Sequence, residues 1–391
     1  MAVEFLVAGG GIGGLAAALA LARRGHRIEL LEQSDTFGEV GAGIQLGPNA
    51  TRRLQSLGLG SALDGIAAYP EALVVRSAGD HAELARLPLK DDMPRRYGAP
   101  YVCVHRADLH ALLLDAVRAC PQATLHTGAR IAQVAARGEA VCVSTDDARA
   151  WEGDALIGAD GLWSVVRPKM IDGPAPQPTG HTAWRSLIAQ EALPAALRSR
   201  QVRVWLGAHL HAVAYPVRRG EALNVVVLAE SAPAGDARDW DQRTGLDALW
   251  RATGRCCAPL QSLLEAMPDW RAWTLNDRAP MAGPHEMAGE RIALVGDAAH
   301  PMLPYLAQGA GMAIEDAVAL ADAIGDGASA DVPDAFRRYA DIRWQRNARV
   351  QARARRNGEI FHVTGPVRWA RDAAMRALGP RLLDVPWLYA G

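Results

Sequence analysis

The residues able to do chemistry fall into glycine-rich turns with acids nearby, and one His–Tyr pair. Gly9, Gly11 and Gly14 form a GxGxxG turn, and Glu32 follows 23 residues after the first glycine. Such glycines let backbone approach a pyrophosphate at a helix N-terminus, while the acid accepts from ribose hydroxyls, which together make a dinucleotide site. A second acid, Asp160, stands in Gly158-Ala159-Asp160-Gly161, and a third, Asp297, in Gly296-Asp297-Ala298-Ala299-His300-Pro301. Past Asp297 the chain restarts as a helix near Gly309, so a carboxylate and open backbone N–H groups could share one polar cofactor. His211 and Tyr215 stand four apart in an extended run, which puts both side chains on one face. They read either as a proton-transfer pair or as the wall of an ordinary sheet.

The elements that must position these residues follow from pattern. Residues 3–8 read as a buried strand, an Ala/Leu-rich helix runs to about Arg24, and residues 27–31 form a second strand. The glycine-rich stretch 41–49 is either a flexible connection or backbone laid against a flat ring, and it enters a helix at about 50–57. A strand at 101–104 leads to Arg106, at the head of a helix to about 119; it could donate to a phosphate or face solvent. Short strands follow from 124, with a hairpin turn at 146–149. Residues 172–178 look like a linker, and the strands at 201–206, 209–216 and 224–230, without helices between them, suggest an antiparallel sheet in a second domain. Residues 231–268 read as loops and helices, and a strand at 292–295 leads into the Asp297 turn. The chain from about 318 to 378 is mostly helical by pattern. Six arginines lie between 343 and 356, and Arg349, Arg353 and Arg356 share a helix face that reads as solvated or interfacial.

Composition narrows the class. A chain of 391 residues holds about two to three domains. With 50% hydrophobic and 22% charged residues it is globular, and a net charge of −1 gives no basic field for nucleic acid or an anionic membrane. Five cysteines without CxxC spacing point to a reducing compartment, and no metal site is expected. The one signal-like apolar run, 15–22, follows the glycine turn and reads as a core helix, so no membrane span and a cytoplasmic location are expected. A second GxGxxG is absent, so a nicotinamide cofactor would have no Rossmann domain of its own here.

Taken in order, the Gly9–Gly14 turn with Glu32, the Gly158–Gly161 motif and the Gly296–Pro301 motif resemble the single-component FAD-dependent aromatic hydroxylases, the para-hydroxybenzoate hydroxylase class of flavoprotein monooxygenases. The resemblance covers nearly the whole chain. Within that class it is strongest to the group of 3-hydroxybenzoate 6-hydroxylase, salicylate hydroxylase and 6-hydroxynicotinate 3-monooxygenase. It implies a mixed α/β fold. A Rossmann-like FAD-binding domain would be assembled from 1–75, 98–170 and 285–330. An antiparallel β-sheet substrate domain would come from 76–97 and 171–284, and a helical region from 331–391.

The resemblance also implies FAD, NADH or NADPH as co-substrate, O2, and a small aromatic acid hydroxylated through a flavin C4a-hydroperoxide, by a monomer or homodimer. A decarboxylative 6-hydroxynicotinate-type enzyme, or a flavin reductase or binding protein that does not hydroxylate, are the alternatives. Carried onto this chain, Gly9, Gly11, Gly13 and Gly14 surround the pyrophosphate, Glu32 holds the adenosine ribose, and Ile131 touches the adenine end. Arg106 reaches the phosphates or ribityl chain, Asp160 serves FAD and NAD(P)H, and Asp297 binds ribityl or ribose hydroxyls. Ala310 and Gly311 offer N–H groups to the flavin pyrimidine edge, and Gln33, Gly43 and Gln45 complete the cofactor-binding set. His211 would be the base that makes a phenolate, and Tyr215 the hydrogen-bond partner that orients the substrate. Two positions depart from the group: Pro304, where hydroxybenzoate 6-hydroxylases carry Gln, and Gln45, where hydroxynicotinate enzymes tend to carry His.

Overall fold

The computed structural model describes residues 2–38, 41–232, 235–326 and 331–391. Strand Glu4–Ala8, helix Ile12–Ala22 and strand Arg27–Leu31 open the chain. The helix is apolar all round because it is enclosed: it packs against helices Arg106–Arg118 and Gly309–Ile324, and ten of its residues are buried. The first sheet has six strands in the order Ala288–Gly289, Ile292–Leu294, Ala155–Gly158, Glu4–Ala8, Arg27–Leu31, Ala123–His126. All pair in parallel except the first two.

That order explains how three distant motifs meet. Glu4–Ala8, Ala155–Gly158 and Ile292–Leu294 are neighbours in parallel register, with Ala8 opposite Gly158 and Gly158 opposite Leu294. The turns at Gly9, Asp160 and Asp297 therefore leave the same carboxyl edge of one sheet, where open α/β folds bind ligands.

A second sheet has eight strands in the order Gln242–Thr244, Trp270–Asp277, Gln177–Ala189, Ala222–Glu230, Leu210–Val217, Val202–Leu206, Ala72–Ser77, Glu83–Pro88. Alternation along Leu210–Val217 sorts its side chains. Ala212 and Ala214 join a core under helices Leu246–Thr253 and Ala258–Glu265, while Val213, Tyr215 and Val217 face the other way. On that other side lie the C-terminal helices Val332–Phe361, Gly365–Leu378, Pro380–Leu383 and Pro386–Tyr389.

Several expectations are corrected. The sheet is not wholly antiparallel: Val202–Leu206 runs parallel to Ala72–Ser77, because the chain enters this sheet twice. For the same reason the junction drawn between 75 and 76 falls inside a strand. The linker at 172–178 gives way at Gln177 to a 13-residue strand, and Trp270–Asp277 is a strand that had not been expected. Gly43–Leu46 is likewise a strand, paired with Val102–His105. The junction at 330 lies outside the described residues. Among the described residues no helix is long and apolar enough to cross a membrane.

Candidate active site

The Gly9–Gly14 turn is built for close approach. Gly9 has φ +102°, and a Cβ there would stand 2.5 Å from Ala159 O. A Cβ on Gly14 would stand 1.9 Å from Gly9 O, so only glycine lets the helix start this close to the strand. Gly11 caps the helix with no side-chain hydrogen bond, which leaves the first-turn N–H groups for a ligand. Gly13 differs: a Cβ there would merely touch Ala313 at 3.4 Å, so its smallness serves the crossing of two helices.

Glu32 Oε2 accepts from Gly10 N at 2.7 Å and Oε1 from Ser34 N at 2.9 Å, which holds the carboxylate over the turn. Gln33 beside it is exposed. Ala129 N donates to Glu32 O at 2.8 Å, bringing the strand that begins at Ile131 to the same end. His110 was missed: buried on helix Arg106–Arg118, its Nε2 lies 2.8 Å from Gly10 O and fixes the turn from behind. Arg106 opens that helix and its N–H donates to Ala42 O at 2.8 Å.

Asp160 Oδ2 accepts from Val165 N and Val166 N at 2.7 and 3.1 Å, while Oδ1 is buried without a partner. Burial raises its carboxyl above the usual range, against the pull of those hydrogen bonds. Such an orphaned acceptor beside Gly9 suits a ligand that brings donors. Arg167, seven residues after Asp160, donates to Ala299 O at 2.7 Å and pairs with Glu286 at 2.6 Å, tying this motif to the Asp297 turn. Asp297 Oδ1 lies 4.0 Å from where a Gly309 Cβ would be, facing the start of helix Gly309–Ile324. That helix also begins without a side-chain cap, so the N–H groups around Ala310 and Gly311 stay open.

Behind this helix start lies a buried ionic network. Asp316 accepts from Arg343 Nε at 2.8 Å and Asn347 Nδ2 at 3.0 Å, and also hydrogen-bonds His300 Nε2. Glu315 pairs with Arg343 and Arg346, each at 2.7 Å, and accepts from Asn49 at 2.7 Å. Burial alone would raise the Asp316 carboxyl, but the His300 and Arg343 charges outweigh it and hold it well below the usual range. Arg343 and Arg346, which lie off the face expected to be solvated or interfacial, thus clamp the Asp297 motif to the C-terminal helix. Arg355 pairs with Asp277 at 2.6 Å, and Arg349 stacks over Trp387 at 4.0 Å.

Between the second sheet and the C-terminal helices lies a cavity of about 480 Å³. Gln45, Tyr101, His211, Pro304, Tyr305 and Arg353 stand in its otherwise largely apolar wall. Tyr101 Oη donates to Gln45 Oε1 at 2.8 Å. Pro304 also borders a smaller pocket of about 140 Å³ that contains Asp297, so the loop after His300 separates Asp297 from the cavity. Burial, then the neighbouring His362 and His181, push the His211 imidazole well below its usual range, so it faces the cavity uncharged. Its Nδ1 lies 3.0 Å from His362 Nε2, which leaves Nε2 for the cavity.

Tyr215 shares the strand and face of His211 yet does not line the cavity. Its hydroxyl donates to Gly43 O at 2.6 Å, and Gly43 N donates to Asn224 Oδ1 at 2.8 Å. A Cβ on Gly43 would stand 2.5 Å from the Tyr215 ring, so glycine is needed for this approach. The expected direct orienting role of Tyr215 is therefore corrected: its proton is committed to backbone, and it anchors the strand that carries Gln45. Arg353, expected with Arg349 and Arg356 on a solvated or interfacial helix face, instead lines this cavity. Its Nε is buried without a partner, and among the described residues it makes no ion pair. No local pattern could have shown that.

A glycine cradle and two acids on one sheet edge, with an open helix start beside an apolar chamber, make a dinucleotide-binding edge next to a small-ligand cavity. The chain belongs to the FAD binding domain family, whose model matches residues 2–354, and within it to the FAD-dependent aromatic-ring monooxygenases. It is 38% identical to the 3-hydroxybenzoate 6-hydroxylase of Polaromonas naphthalenivorans, over 98% of this chain and 95% of that one. It is 37% identical to the 3-amino-4-hydroxybenzoate 2-monooxygenase of Streptomyces platensis, over 98% and 94%. Among solved structures, Klebsiella pneumoniae HpxO complexed with FAD and uric acid superposes with a TM-score of 0.86 at 26% identity, over 97% and 94%. FAD is the cofactor.

Proposed function

We propose that this enzyme hydroxylates a small phenolic acid, taking electrons from NADH or NADPH and one oxygen atom from O2. The observation that carries this reading is the cavity. A buried, uncharged histidine and an arginine that has no acidic partner among the described residues face one apolar chamber of about 480 Å³, a size suited to a small ligand. One group can take a phenol's proton and the other can hold a carboxylate. The two hydroxybenzoate-acting relatives support it.

FAD, when bound, would supply the redox chemistry that couples oxidation of the nicotinamide to insertion of one oxygen atom of O2 at an electron-rich ring carbon. The chain binds and orients. Gly9, Gly11 and Gly14 bring backbone to the pyrophosphate, with Gly13 supporting the helix crossing. Glu32, Gln33 and Ile131 hold the adenosine end, and Arg106 serves the phosphates or ribityl chain. Gly43 and Gln45 border the flavin, Asp160 serves FAD and the nicotinamide, and Asp297 binds ribityl hydroxyls. The helix start at Ala310 and Gly311 stabilises negative charge on the pyrimidine edge by about 0.3–1 kcal/mol.

His211 accepts the phenol proton at Nε2, because a phenolate ring is the better nucleophile. The loop at Pro304–Ala307 and the C-terminal helices keep water from the reacting ring. The free thiols of Cys103, Cys120, Cys256 and Cys257 support a cytoplasmic setting. The test is a screen of phenolic acids and their neutral counterparts for stimulated NAD(P)H oxidation and O2 uptake, with the mass of the product determined. Stimulation by phenolic acids with gain of one oxygen atom is expected; no stimulation by any of them would refute the reading.

A further inference from the structure

Among the described residues one set of side chains, His181, Glu230 and His362, has the composition of a metal site. His181 and Glu230 stand opposite one another on adjacent antiparallel strands, so their side chains share a face of the second sheet. His362 reaches that face from the end of helix Val332–Phe361, where its carbonyl accepts from His209 N at 3.2 Å. One side-chain N or O atom from each of the three falls within 4.8 Å of the other two. The His181 and His362 rings meet edge to face, 4.9 Å between centroids. His362 is only 5% exposed, and its Nε2 is taken by His211 Nδ1 at 3.0 Å. Its other ring nitrogen, Nδ1, is buried without a hydrogen-bond partner, which a bound ion would supply.

We propose that His181, Glu230 and His362 bind one Zn2+ ion, which staples the helix end to the sheet and stops His211 from acting as a base. Two imidazoles and a carboxylate, with a fourth position open to water, are a ligand set that suits Zn2+. Bonds of about 2.0–2.2 Å put tetrahedral ligand atoms about 3.3–3.5 Å apart, so at most about 1.5 Å of movement closes the site. Glu230, the exposed member, can make it. The outer contacts that orient such ligands are in place. The Tyr305 hydroxyl holds His181 Nδ1, which leaves Nε2 for the ion, and His209 Nδ1 lies 2.8 Å from Glu230 Oε2.

The ion acts on His211 through a change of tautomer. Zn2+ takes the lone pair of His362 Nδ1 and displaces the proton there. His362 then carries its proton on Nε2, taken from His211 Nδ1, and His211 gains one at Nε2. Each ring keeps one proton, and no oxidation state changes. His211 Nε2 now meets the cavity as a donor, with no lone pair for a phenol's proton. Ion binding stands by itself, whereas this effect on turnover rests on the phenolic reading above. Ligands from three distant segments leave no spacing in the sequence, which is why no metal site was expected there.

The test starts from FAD-loaded enzyme stripped of metal by a chelator and dialysed against Zn2+. Wild type should bind one Zn2+ per chain, and His181→Ala and Glu230→Gln should each weaken binding at least about tenfold. Zn2+ should raise the Tm of wild type and leave that of both variants in place. With a phenolic acid as substrate, Zn2+ should inhibit NAD(P)H oxidation. Glu230→Gln, with normal turnover in the absence of the ion, should need at least about tenfold more Zn2+ for the same inhibition. No binding, or binding undiminished in both variants because it sits on thiols or surface groups elsewhere, would overturn the site. Full occupancy without inhibition would overturn the effect on His211. If His181→Ala does not fold, Glu230→Gln, at the surface, decides. If no phenolic acid is turned over, the functional reading fails while the dialysis still decides the site.

Discussion

Arg353→Met is the sharpest probe of the substrate's charge. The substitution keeps an apolar stem of similar length and removes the guanidinium. Nothing within the protein should suffer, because among the described residues Arg353 makes neither an ion pair nor a hydrogen bond, whereas Arg343, Arg346 and Arg355 on the same helix all hold acids. A hydrogen bond between charged partners contributes about 1.5–3 kcal/mol. At 1.4 kcal/mol per factor of ten, kcat/KM for a hydroxybenzoate should fall by about 10- to 150-fold. A phenol of the same ring without the carboxylate never used that bond and should change by less than about threefold. The assay is substrate-dependent NAD(P)H oxidation with product quantified, run for both compounds on both proteins. Equal losses for acid and neutral phenol, or no loss for the acid, would refute the assignment.

Three further outcomes follow from geometry and charge. Gly14→Ala puts a methyl group 1.9 Å from Gly9 O, so FAD affinity should weaken about tenfold or more, read as flavin absorbance per purified protein; full retention would contradict the cradle. Arg343→Met leaves Asp316 and Glu315 buried without one of their cations, and should cost about 3–5 kcal/mol in urea unfolding of the FAD-loaded protein; a loss below about 1 kcal/mol would show the network to be replaceable. The Asp316 carboxyl is held below its usual range in the folded protein, so its contribution is complete above about pH 3.9 and is lost as pH falls from there through the folded value. Asp316→Asn should flatten that acid limb of the stability curve, and an unchanged limb would remove Asp316 as its cause.

Much of the cofactor half was legible because its signals are local. A strand, a GxGxxG turn, a helix and an acid lie within the first 32 residues, and each local choice agrees with the next. The carboxylates at 160 and 297 were legible for the same reason: each follows a short apolar run and a glycine. The second sheet was legible only in part. Its clearest strand, Ala222–Glu230, holds an unbroken apolar run from Val225 to Ala229, while Gln177–Ala189 begins among prolines and glycines, and Ala72–Ser77 lies more than a hundred residues before its parallel neighbour. Pairing at that separation leaves no local mark.

What the sequence alone determined is the class of cofactor, a dinucleotide, since glycine geometry and strand–turn–helix order are properties of short segments. What only the tertiary structure decided is the division of labour around the substrate. His211 and Tyr215 look equivalent along a strand, yet one faces the cavity and the other is bound to Gly43 O, because a separate strand crosses at Tyr215. Arg343 and Arg353 look alike on one helix, yet two acids close over the first and an open chamber faces the second. Burial and partner choice are set by which elements pack together, and that is a property of the whole fold.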